Sequence, residues 1–363
     1  MPLDLMWPPA DNFSWGLSDD ELIRQTLQGQ SPLQLLDLDS DMNAFQPANP
    51  AQTVVPLSGR PSHSTTFIGY SNESDPFALE SFPYDKDGEV DFFRVTYRKI
   101  GPTDGPSYPL HFLHSQTGTA TESRKIVDEC LPDLDDRTHL EKLVDVDNGV
   151  ALVRLFLRFV FPSLPILSRS VILQDVETFV KEGPTGLLAG IYALSLPFAA
   201  WDESLCLHNA YSPPNVTDLW KITHTNLQRQ LQFPSLVTVQ TYLVLLNYLP
   251  FDPVSVENPF AWSMAGAMLA MAQSLGLNAD PSGWNLPAWE IRLRRRLWWS
   301  VVVEHTWRAI THGRASMLRE DDWDVSELSS DDFAFDEKQS SPAYFINLCS
   351  LTLIADQICR KFL

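Results

Sequence analysis

The chain has 363 residues, of which 44% are hydrophobic and 11% aromatic, so it is long enough to bury a sizeable core. Its 46 acidic and 26 basic residues give a formal net charge of -20 at pH 7, which argues against a protein that coats DNA, because that role needs a basic surface. No CxxC pair and hence no structural zinc site is visible among the four cysteines, which are Cys130, Cys206, Cys349 and Cys359.

Residues 1–59 combine eight acidic residues and one basic residue, Arg24, with bulky apolar side chains. This composition is typical of disordered activation segments, in which the acids keep the chain solvated and the apolar side chains stay available to a partner. An acidic terminus without a partner is the alternative. Residues 60–123 mix Gly, Pro, Ser and aromatic residues and predict an irregular linker or docking segment. Within it, VDFFRVTYRKI (90–100) indicates a strand or an extended docking stretch.

Residues 124–363 carry apolar runs at helical spacing, punctuated by Pro and Gly, and predict an all-α domain of large, antiparallel, mostly buried helices. None of the runs is long enough to span a bilayer, so no membrane association is expected. The chain ends in an apolar helical pattern without a cap, and we therefore expect the domain to be incomplete at its C-terminus, with apolar surface exposed. The predicted helices cover residues 147–161, 185–198, 234–249 with Ser235 as N-cap, 258–277, 287–313 and 343–363.

The helix predicted over 287–313 contains a cluster of four arginines, Arg292, Arg294, Arg295 and Arg296. The cluster has three interpretations: structural ion pairing, a nuclear-import signal, and contact with nucleic acid. Apolar side chains at helical spacing surround the arginines, so the cluster belongs to a mostly apolar helix and not to a solvated basic face. A helix that reads DNA is usually free to enter a groove, and structural pairing is therefore favoured.

Candidate partners for these arginines lie nearby in the sequence. Glu290 precedes Arg294 by four residues, and Glu304 precedes Arg308 by the same interval, a spacing that favours ion pairs on a helix. Arg294 and Arg295 are each expected to stack on the tryptophan four residues later, Trp298 and Trp299. The segment REDDWD (319–324) offers further carboxylates for bidentate pairing.

Catalytic motifs are scarce, and we predict that the chain is not an enzyme. His111 and His114 form an isolated HxxH without a carboxylate cluster, which is weak evidence for a metal site. Glu304 and His305 are adjacent and point about 100° apart on a helix, so they do not form a unit. The carboxylates of DDWD (321–324) allow a magnesium site, but a turn whose acids cap a helix or pair with arginines is favoured.

Five blocks within about residues 145–363 resemble the fungal-specific transcription factor domain, the middle homology region of zinc-cluster regulators. The blocks are FVFPSLPILSRS (159–170), GLLAGIYALSLPFAAWDE (186–203), PSLVTVQTYLVLLNYL (234–249), the long block over 265–299 and HGRASMLREDDWDV (312–325). In the family's Gly-Arg-Pro-Ser motif, Ala315 here replaces the proline. The resemblance gives a structural role to the motif residues Asp280, Pro281, Trp284, Arg292, Arg295, Arg296, Trp298, Trp299, Gly313, Arg314, Ser316 and Asp324.

The resemblance implies a nuclear regulator of RNA polymerase II transcription in a fungus, with a helical regulatory domain. Upstream, GYSNESDPFALESFPYD (69–85) and DFFRVTYRKI (91–100) further resemble TamA-type co-activators of fungal nitrogen catabolism. The family normally carries an N-terminal binuclear zinc cluster of six cysteines, which this sequence lacks, so zinc enters only if an upstream cluster exists. The resemblance thus implies a co-activator or part of a zinc-cluster factor. Its partners are other transcription factors or co-activators, and it reaches DNA indirectly or through a missing domain.

A second hypothesis is a module that senses a small-molecule effector in a pocket lined by Met264, Met268, Met271 and Trp262, although such residues are more often plain core. A third is an all-α enzyme with an unrecognised site. The absence of a paired nucleophile and base disfavours it.

Overall fold

Helices dominate the structure, a computed structural model, as the sequence predicts. The predicted arm of residues 1–59 lies outside the described residues, apart from 55–57. What is described falls within one compact unit, Val54–Leu363. It comprises residues 55–57, 63–69, 74–93, 95–100, 110–116, 135–206, 213–248, 259–333 and 342–362.

A small group of strands precedes the helices along the chain. In order, the elements are β1 (His63–Ile68), α1 (Pro76–Glu80), β2 (Glu89–Phe92), β3 (Val95–Ile100), β4 (Leu110–Gln116), α2 (Asp136–Leu143), α3 (Val146–Leu155), α4 (Arg169–Ile172), α5 (Val176–Glu182), α6 (Thr185–Ser195), α7 (Val216–Gln230), α8 (Leu236–Leu246), α9 (Pro259–Ser274), α10 (Ala288–Thr311) and α11 (Ala343–Phe362).

The predicted long helices are confirmed, with small changes at their ends. The helix predicted over 147–161 consists of α3 and one π-helical turn, Phe156–Val160, ahead of Pro162. Ser235 precedes α8 as predicted, and its backbone N–H donates to Thr238 Oγ1 at 3.0 Å. The arginine helix α10 has 24 residues, and Gly313 follows its C-cap with φ 59.

Aspartates at the starts of several helices explain where these helices begin. Asp135, Asp145 and Asp175 each accept a hydrogen bond from the backbone N–H three residues later, at 3.1, 2.8 and 2.9 Å. Such an N-cap satisfies a backbone donor that has no partner within the helix.

An arginine from a neighbouring helix binds the C-terminal end of α5. Arg137 of α2 donates to the carbonyl oxygens of Val180 at 2.6 Å and of Gly183 at 3.1 Å. The last carbonyls of a helix have no partner within it, so this side chain supplies the missing donors.

The main core is formed by the facing sides of α3, α6, α7, α8, α9 and α10. Gly190 of α6 allows a close approach between helices in this core. A Cβ at this position would lie 2.4 Å from Val244 Cγ1 of α8 and 3.3 Å from Thr223 Cγ2 of α7. Three helices therefore meet at one residue without a side chain, which fixes their packing distance.

Replacing Gly190 with alanine is expected to lower the free energy of unfolding by about 1–3 kcal/mol, because the added methyl group overpacks this contact. Chemical denaturation of the purified chain would measure the loss. The matched variant Gly190→Ala with Val244→Ala frees the same space and is expected to be more stable than the sum of the two single changes predicts. Simple additivity would contradict the role of this contact.

Four antiparallel strands form a sheet in the order β1-β4-β3-β2. They occupy much of residues 60–123, the segment that the sequence predicts to be an irregular linker or docking segment. The strands are short, and the apolar–polar alternation in them is too brief to predict a sheet. The predicted strand at 90–100 is present as a hairpin, because a tight turn containing Phe93, with φ 55, separates Phe92 from its partner Val95.

The sheet packs against the start of the arginine helix through a second apolar cluster. Phe112 of β4 lies edge-on to Trp284, with 5.5 Å between the ring centroids, and both rings are buried. The cluster comprises Leu57, Ile100, Phe112, Ala279, Trp284 and Leu286. It therefore ties the strands to the helical domain at the N-terminal end of α10.

A search of the described helices finds none that is by itself both long and apolar enough to cross a membrane. The helices Val176–Glu182 and Thr185–Trp201 meet that standard only when they are taken together across a bend of 120°.

Candidate functional site around the arginine helix

The arginine helix α10 lies in the interior of the domain. It packs against α8, α9 and α11, and Leu297, Trp298 and Val301 in its middle are fully buried. Of the four clustered arginines, Arg294 and Arg296 are buried, and Arg292 and Arg295 are half-buried. Their contacts show what the cluster does.

Arg294 forms a buried ion pair with Glu290 of the preceding turn, as predicted. The Nε–Oε1 distance is 3.1 Å, and the two side chains are 2% and 0% exposed. Arg294 Nη1 also donates to the Leu275 carbonyl at 3.1 Å, and the Leu57 N–H donates to Glu290 Oε2 at 3.0 Å. Burial lowers the pKa of Arg294, against the opposing effect of the Glu290 carboxylate. The pair thus links α10 to the end of α9 and to the segment before β1.

The predicted stacking of Arg294 on Trp298 and of Arg295 on Trp299 is not what the structure has. The Arg294 guanidinium lies instead over the rings of Trp284 and Phe112, 5.6 and 5.9 Å from their centroids. Trp298 and Trp299 instead pack on Trp323, with ring-centroid distances of 5.9 and 5.5 Å. Contacts between residues distant in the sequence thus stand in place of the predicted local ones.

Arg295 and Arg296 each bind residues from other parts of the chain. Arg295 pairs with Asp332 at 3.1 Å and donates to the Glu327 carbonyl at 2.7 Å. Its carboxylate partner thus comes from the 3-10 turn Ser330–Phe333 and not from REDDWD (319–324). Arg296 donates to the Leu167 carbonyl at 2.9 Å.

The acids of the Asp-Pro and DDWD motifs join two loops. Asp280 accepts hydrogen bonds from the backbone N–H groups of Ser282 and Ser326, both at 2.8 Å, and its own N–H donates to Asp324 Oδ1 at 2.7 Å. Burial opposes ionisation of Asp280, but the bonds from both serines together hold its pKa below the usual range. Trp299 Nε1 donates to the Ser326 carbonyl at 3.0 Å, which fastens the joined loops to α10.

DDWD lies at a turn as predicted, since Glu320–Asp322 form a 3-10 turn, but the Asp324 carboxylate binds a loop N–H and not an arginine. Within the described ranges, no group of three His, Cys, Asp or Glu residues is placed to hold a metal ion. His111 and His114 lie on β4, and their rings have different neighbours: His114 Nδ1 is 3.0 Å from Thr65 Oγ1, whereas His111 lies against the Tyr84 ring. The HxxH is thus part of a buried strand.

Glu304 and His305 have separate surroundings, as the sequence predicts. Glu304 pairs with Arg308, which also donates to the Leu246 carbonyl at the end of α8. His305 is fully buried against the Trp262 ring, 5.3 Å away, and has no hydrogen-bond partner among the residues that the structure describes. Burial lowers its pKa to about 4, although the Asp356 carboxylate acts in the opposite direction.

The buried His305 predicts an acid-sensitive stability. The imidazole is neutral in the folded chain down to about pH 4, whereas it becomes protonated near pH 6.5 when unfolded. Between about pH 6.5 and pH 4, the unfolded state therefore binds one proton more than the folded state. The free energy of unfolding falls as the pH falls through this range, by about 3 kcal/mol at most. We expect His305→Leu to remove this part of the loss in denaturation series at pH 7 and pH 4.5. His312→Gln is the matched control and is expected to lose as much stability between pH 7 and pH 4.5 as the wild type. An equal loss of stability in all three chains would contradict the prediction.

A cavity of about 390 Å³ lies at the other end of the arginine helix. It is bounded by the last turns of α10, the following loop and the last turns of α11, and its lining contains none of the four predicted pocket residues Met264, Met268, Met271 and Trp262. Met264 and Met268 lie buried in the main core instead, with Met271 and Trp262 packed against it. The lining residues are Thr306, Ala309, Ile310, Gly313, Arg314, Ala315, Ser316, Leu318, Arg319, Asp356, Cys359 and Arg360.

The motif residues from the sequence fall into two groups along α10. Around its N-terminal half lie Asp280, Pro281, Trp284, Arg292, Arg295, Arg296, Trp298, Trp299 and Asp324. The other group, Gly313, Arg314 and Ser316, lines the cavity at the C-terminal end of the helix. At a rise of 1.5 Å per residue, Gly313 is roughly 27 Å along the helix axis from Arg295. Asp332, Arg319 and Arg360 are site residues that sequence reasoning missed. No local spacing connects Asp332 with Arg295, which is 37 residues earlier.

A buried arginine helix, joined to the loops around it by hydrogen bonds and the Arg295–Asp332 ion pair, defines this domain as a helical module. The model of the fungal specific transcription factor domain matches residues 153–360, and the chain belongs to this family. The chain is 30% identical to transcriptional activator protein DAL81 of Saccharomyces cerevisiae over 210 residues, which is 55% of this chain and 21% of that protein.

Two further relatives show similar coverage. An uncharacterized transcriptional regulatory protein of Schizosaccharomyces pombe, C25B8.11, is 28% identical over 224 residues, or 61% of this chain and 33% of the relative. Cutinase transcription factor 1 beta of Fusarium vanettenii is 23% identical over 188 residues, or 50% and 21%. The matches thus span about a fifth to a third of the length of these relatives. No solved structure matches the chain.

Proposed function

We propose that the chain regulates transcription of RNA polymerase II genes in the fungal nucleus, as a co-activator or as part of a zinc-cluster factor. Membership of the family and the printed names of the relatives support this proposal. The observation that carries the mechanism is the burial of Arg294 and Arg296, which are 2% and 5% exposed. Because these side chains are bound to protein atoms, α10 is a structural element of the regulatory domain and not a surface for DNA or for an import receptor.

In the proposed mechanism, two parts of the chain have separate roles. The acidic arm of residues 1–59 contacts other transcription factors or co-activators through its interspersed apolar side chains. The helical domain receives a partner or an effector. DNA is reached through another protein or a separate zinc-cluster domain, since the net charge of -20 opposes direct contact with phosphates.

A tethering experiment tests this proposal. The full chain, fused to an unrelated DNA-binding domain, is expected to activate a reporter gene that carries the matching site. Replacing Trp7, Phe13 and Trp15 with alanine keeps every acidic residue and is expected to reduce activation, whereas replacing Asn43, Asn49 and Gln52 with alanine serves as the matched control. A fusion that reaches the nucleus and leaves the reporter silent would overturn the activator version.

We further propose nitrogen catabolism as the regulated process. The support is the resemblance of residues 69–85 and 91–100 to TamA-type co-activators. These two segments contact each other in the structure: Phe82 lies edge-on to Tyr97 with 6.4 Å between ring centroids, and Lys99 Nζ is 3.1 Å from Glu80 Oε1. Deleting the gene is expected to impair growth on poor nitrogen sources and to spare growth on ammonium. Equal growth on both would contradict this assignment.

A second candidate function, sensing of a small-molecule effector, is favoured by the cavity at the end of α10. The cavity is formed by side chains from α10, α11 and the loop between them, so a ligand there would contact elements that are distant in the sequence.

A further inference from the structure

The cavity at the end of the arginine helix is positively charged within an acidic chain. Its lining holds three arginines, Arg314, Arg319 and Arg360, and one acid, Asp356. Asp356 is already paired with Arg360 Nε at 2.6 Å. The lining therefore keeps an excess of positive charge, although the chain as a whole carries -20.

The helix terminus directs one of these arginines into the cavity. The N–H of Gly313 donates to the Ile310 carbonyl at 3.2 Å, and the N–H of Arg314 donates to the Ala309 carbonyl at 2.8 Å. Together with φ 59 at Gly313, these bonds form a Schellman turn. The turn fixes the backbone of Arg314 at the edge of the cavity.

Two of the guanidinium groups keep their donors available. Arg314 lies over the Trp262 ring, 5.5 Å from its centroid, so the ring covers a face of the guanidinium. Within the part of the chain that the structure describes, neither Arg314 nor Arg319 donates a hydrogen bond from its side chain. Arg360, by contrast, is held by Asp356 and by the Leu318 carbonyl at 3.0 Å. The cavity is thus lined by Arg360, whose guanidinium is already hydrogen-bonded, and by Arg314 and Arg319, whose guanidinium groups are not.

The remaining wall of the cavity is largely apolar. Ala309 and Ile310 contribute from α10, Leu318 from the loop and Cys359 from α11. A cavity of about 390 Å³ is within the range of small-molecule sites, which is about 300–1,000 Å³. The space therefore combines donors for an anion with a surface for a small apolar group.

We propose that this cavity binds a small organic carboxylate with an apolar portion. The carboxylate accepts hydrogen bonds from Arg314 and Arg319, since the planar guanidinium matches a carboxylate in bidentate geometry. The apolar portion lies against Ile310 and Leu318. This binding rests on the second candidate function, sensing of a small-molecule effector, and names the chemical class of that effector. Bound ligand would connect α10 to α11.

Thermal unfolding of the full chain tests the proposal with benzoate and hexanoate as probes, at constant ionic strength. A ligand that binds only the folded chain raises Tm in a saturable way. We expect at least one of the two carboxylates to raise Tm at 10 mM, while their neutral amides, benzamide and hexanamide, do not. Inorganic phosphate, an anion without an apolar portion, is expected to have a smaller effect.

Variants locate the site. Arg319→Gln and Arg314→Gln are each expected to weaken carboxylate binding about tenfold, the effect of losing a charged hydrogen bond. Arg292→Gln, which removes a half-buried arginine at the far end of α10, is the matched control and is expected to bind like the wild type. Because Arg319 makes no side-chain hydrogen bond in the described structure, Arg319→Gln is expected to keep its unliganded Tm even if Arg314→Gln loses stability.

Several outcomes would overturn the proposal. They are the absence of a Tm shift with both carboxylates, equal shifts with acid and amide, a phosphate shift that exceeds both carboxylates, and equal weakening by Arg292→Gln. None of them depends on the reporter assay, so failure of the cavity proposal is distinguishable from failure of the proposed function.

Discussion

Replacing Glu290 with glutamine is expected to lower the free energy of unfolding by about 3–5 kcal/mol, the usual effect of removing one partner of a buried ion pair. The shape of the side chain and an acceptor for the Leu57 N–H are kept, but Arg294 loses the only carboxylate with which it has an ion pair in the described structure. Because Arg294 is 2% exposed, water cannot replace that charge. Urea denaturation at pH 7 would measure the change as a lower midpoint with an unchanged slope.

Two comparisons make this expectation specific. Glu177→Gln removes an ion pair to Lys181 with the same four-residue spacing on the exposed surface, and we expect it to leave Tm unchanged. Glu290→Met combined with Arg294→Met removes both charges and is expected to recover much of the loss. A double variant less stable than Glu290→Gln would mean that the pair itself, and not the unpaired charge, determines the cost.

Replacing Trp299 with alanine is expected to lower the free energy of unfolding by about 3–5 kcal/mol, as is usual for a large buried aromatic residue. Trp299 is 1% exposed and packs edge-on to Trp323. The substitution also removes the bond from Trp299 to the Ser326 carbonyl, so the loops joined through Asp280 lose one of their attachments to α10 and keep those to Arg295. Denaturation monitored by far-UV circular dichroism would measure the loss.

The neighbouring tryptophan supplies the control for the hydrogen bond. Trp298 is as deeply buried as Trp299, but its ring N–H has no hydrogen-bond partner among the described residues. Trp298→Phe and Trp299→Phe remove the same volume, and only the second removes a hydrogen bond, after which the Ser326 carbonyl keeps the longer bond from Arg295 Nη2 at 3.3 Å. We therefore expect Trp299→Phe to cost more, by about 0.5–1.5 kcal/mol, the net contribution of one hydrogen bond. Equal losses would show that the bond contributes nothing measurable.

The helical part of the fold was predictable because its signals are local. Apolar spacing, prolines and glycines identify α3, α6, α8, α9, α10 and α11 within a few residues of their observed ends. The two i,i+4 pairs, Glu290–Arg294 and Glu304–Arg308, followed from the same helical geometry and are confirmed. Each of these predictions needs only residues within one or two turns of each other.

Contacts between distant residues were not predictable in this way. The sheet depends on β1 pairing with β4, about fifty residues later, and the partner of Arg295 is Asp332. Hydrogen bonds to backbone carbonyls, such as that from Arg296 to Leu167, carry no sequence signal at all, because every residue has a carbonyl. Arg294 was predicted to stack on Trp298 because helical spacing identifies only a ring on the same helix, and not the rings of Trp284 and Phe112 that it contacts.

The cavity shows the same limit for a binding site. Met264 and Met268 are on α9 at helical spacing, and that pattern is more often plain core than a pocket, as it is here. The cavity residues instead come from the end of α10, a loop and the end of α11. Arg314 and Arg360 meet there only because the two helices pack together.

The arginines that bind helix ends also affect how the domain opens. Arg137 holds the end of α5, Arg294 holds the Leu275 carbonyl just beyond α9, and Arg308 holds the Leu246 carbonyl at the end of α8. Each of these carbonyls is bound by a side chain from a different helix. Fraying of one helix terminus therefore breaks its hydrogen bond to the arginine of the neighbouring helix. We expect amide protons near these termini to exchange together, as one cooperative unit, and not helix by helix.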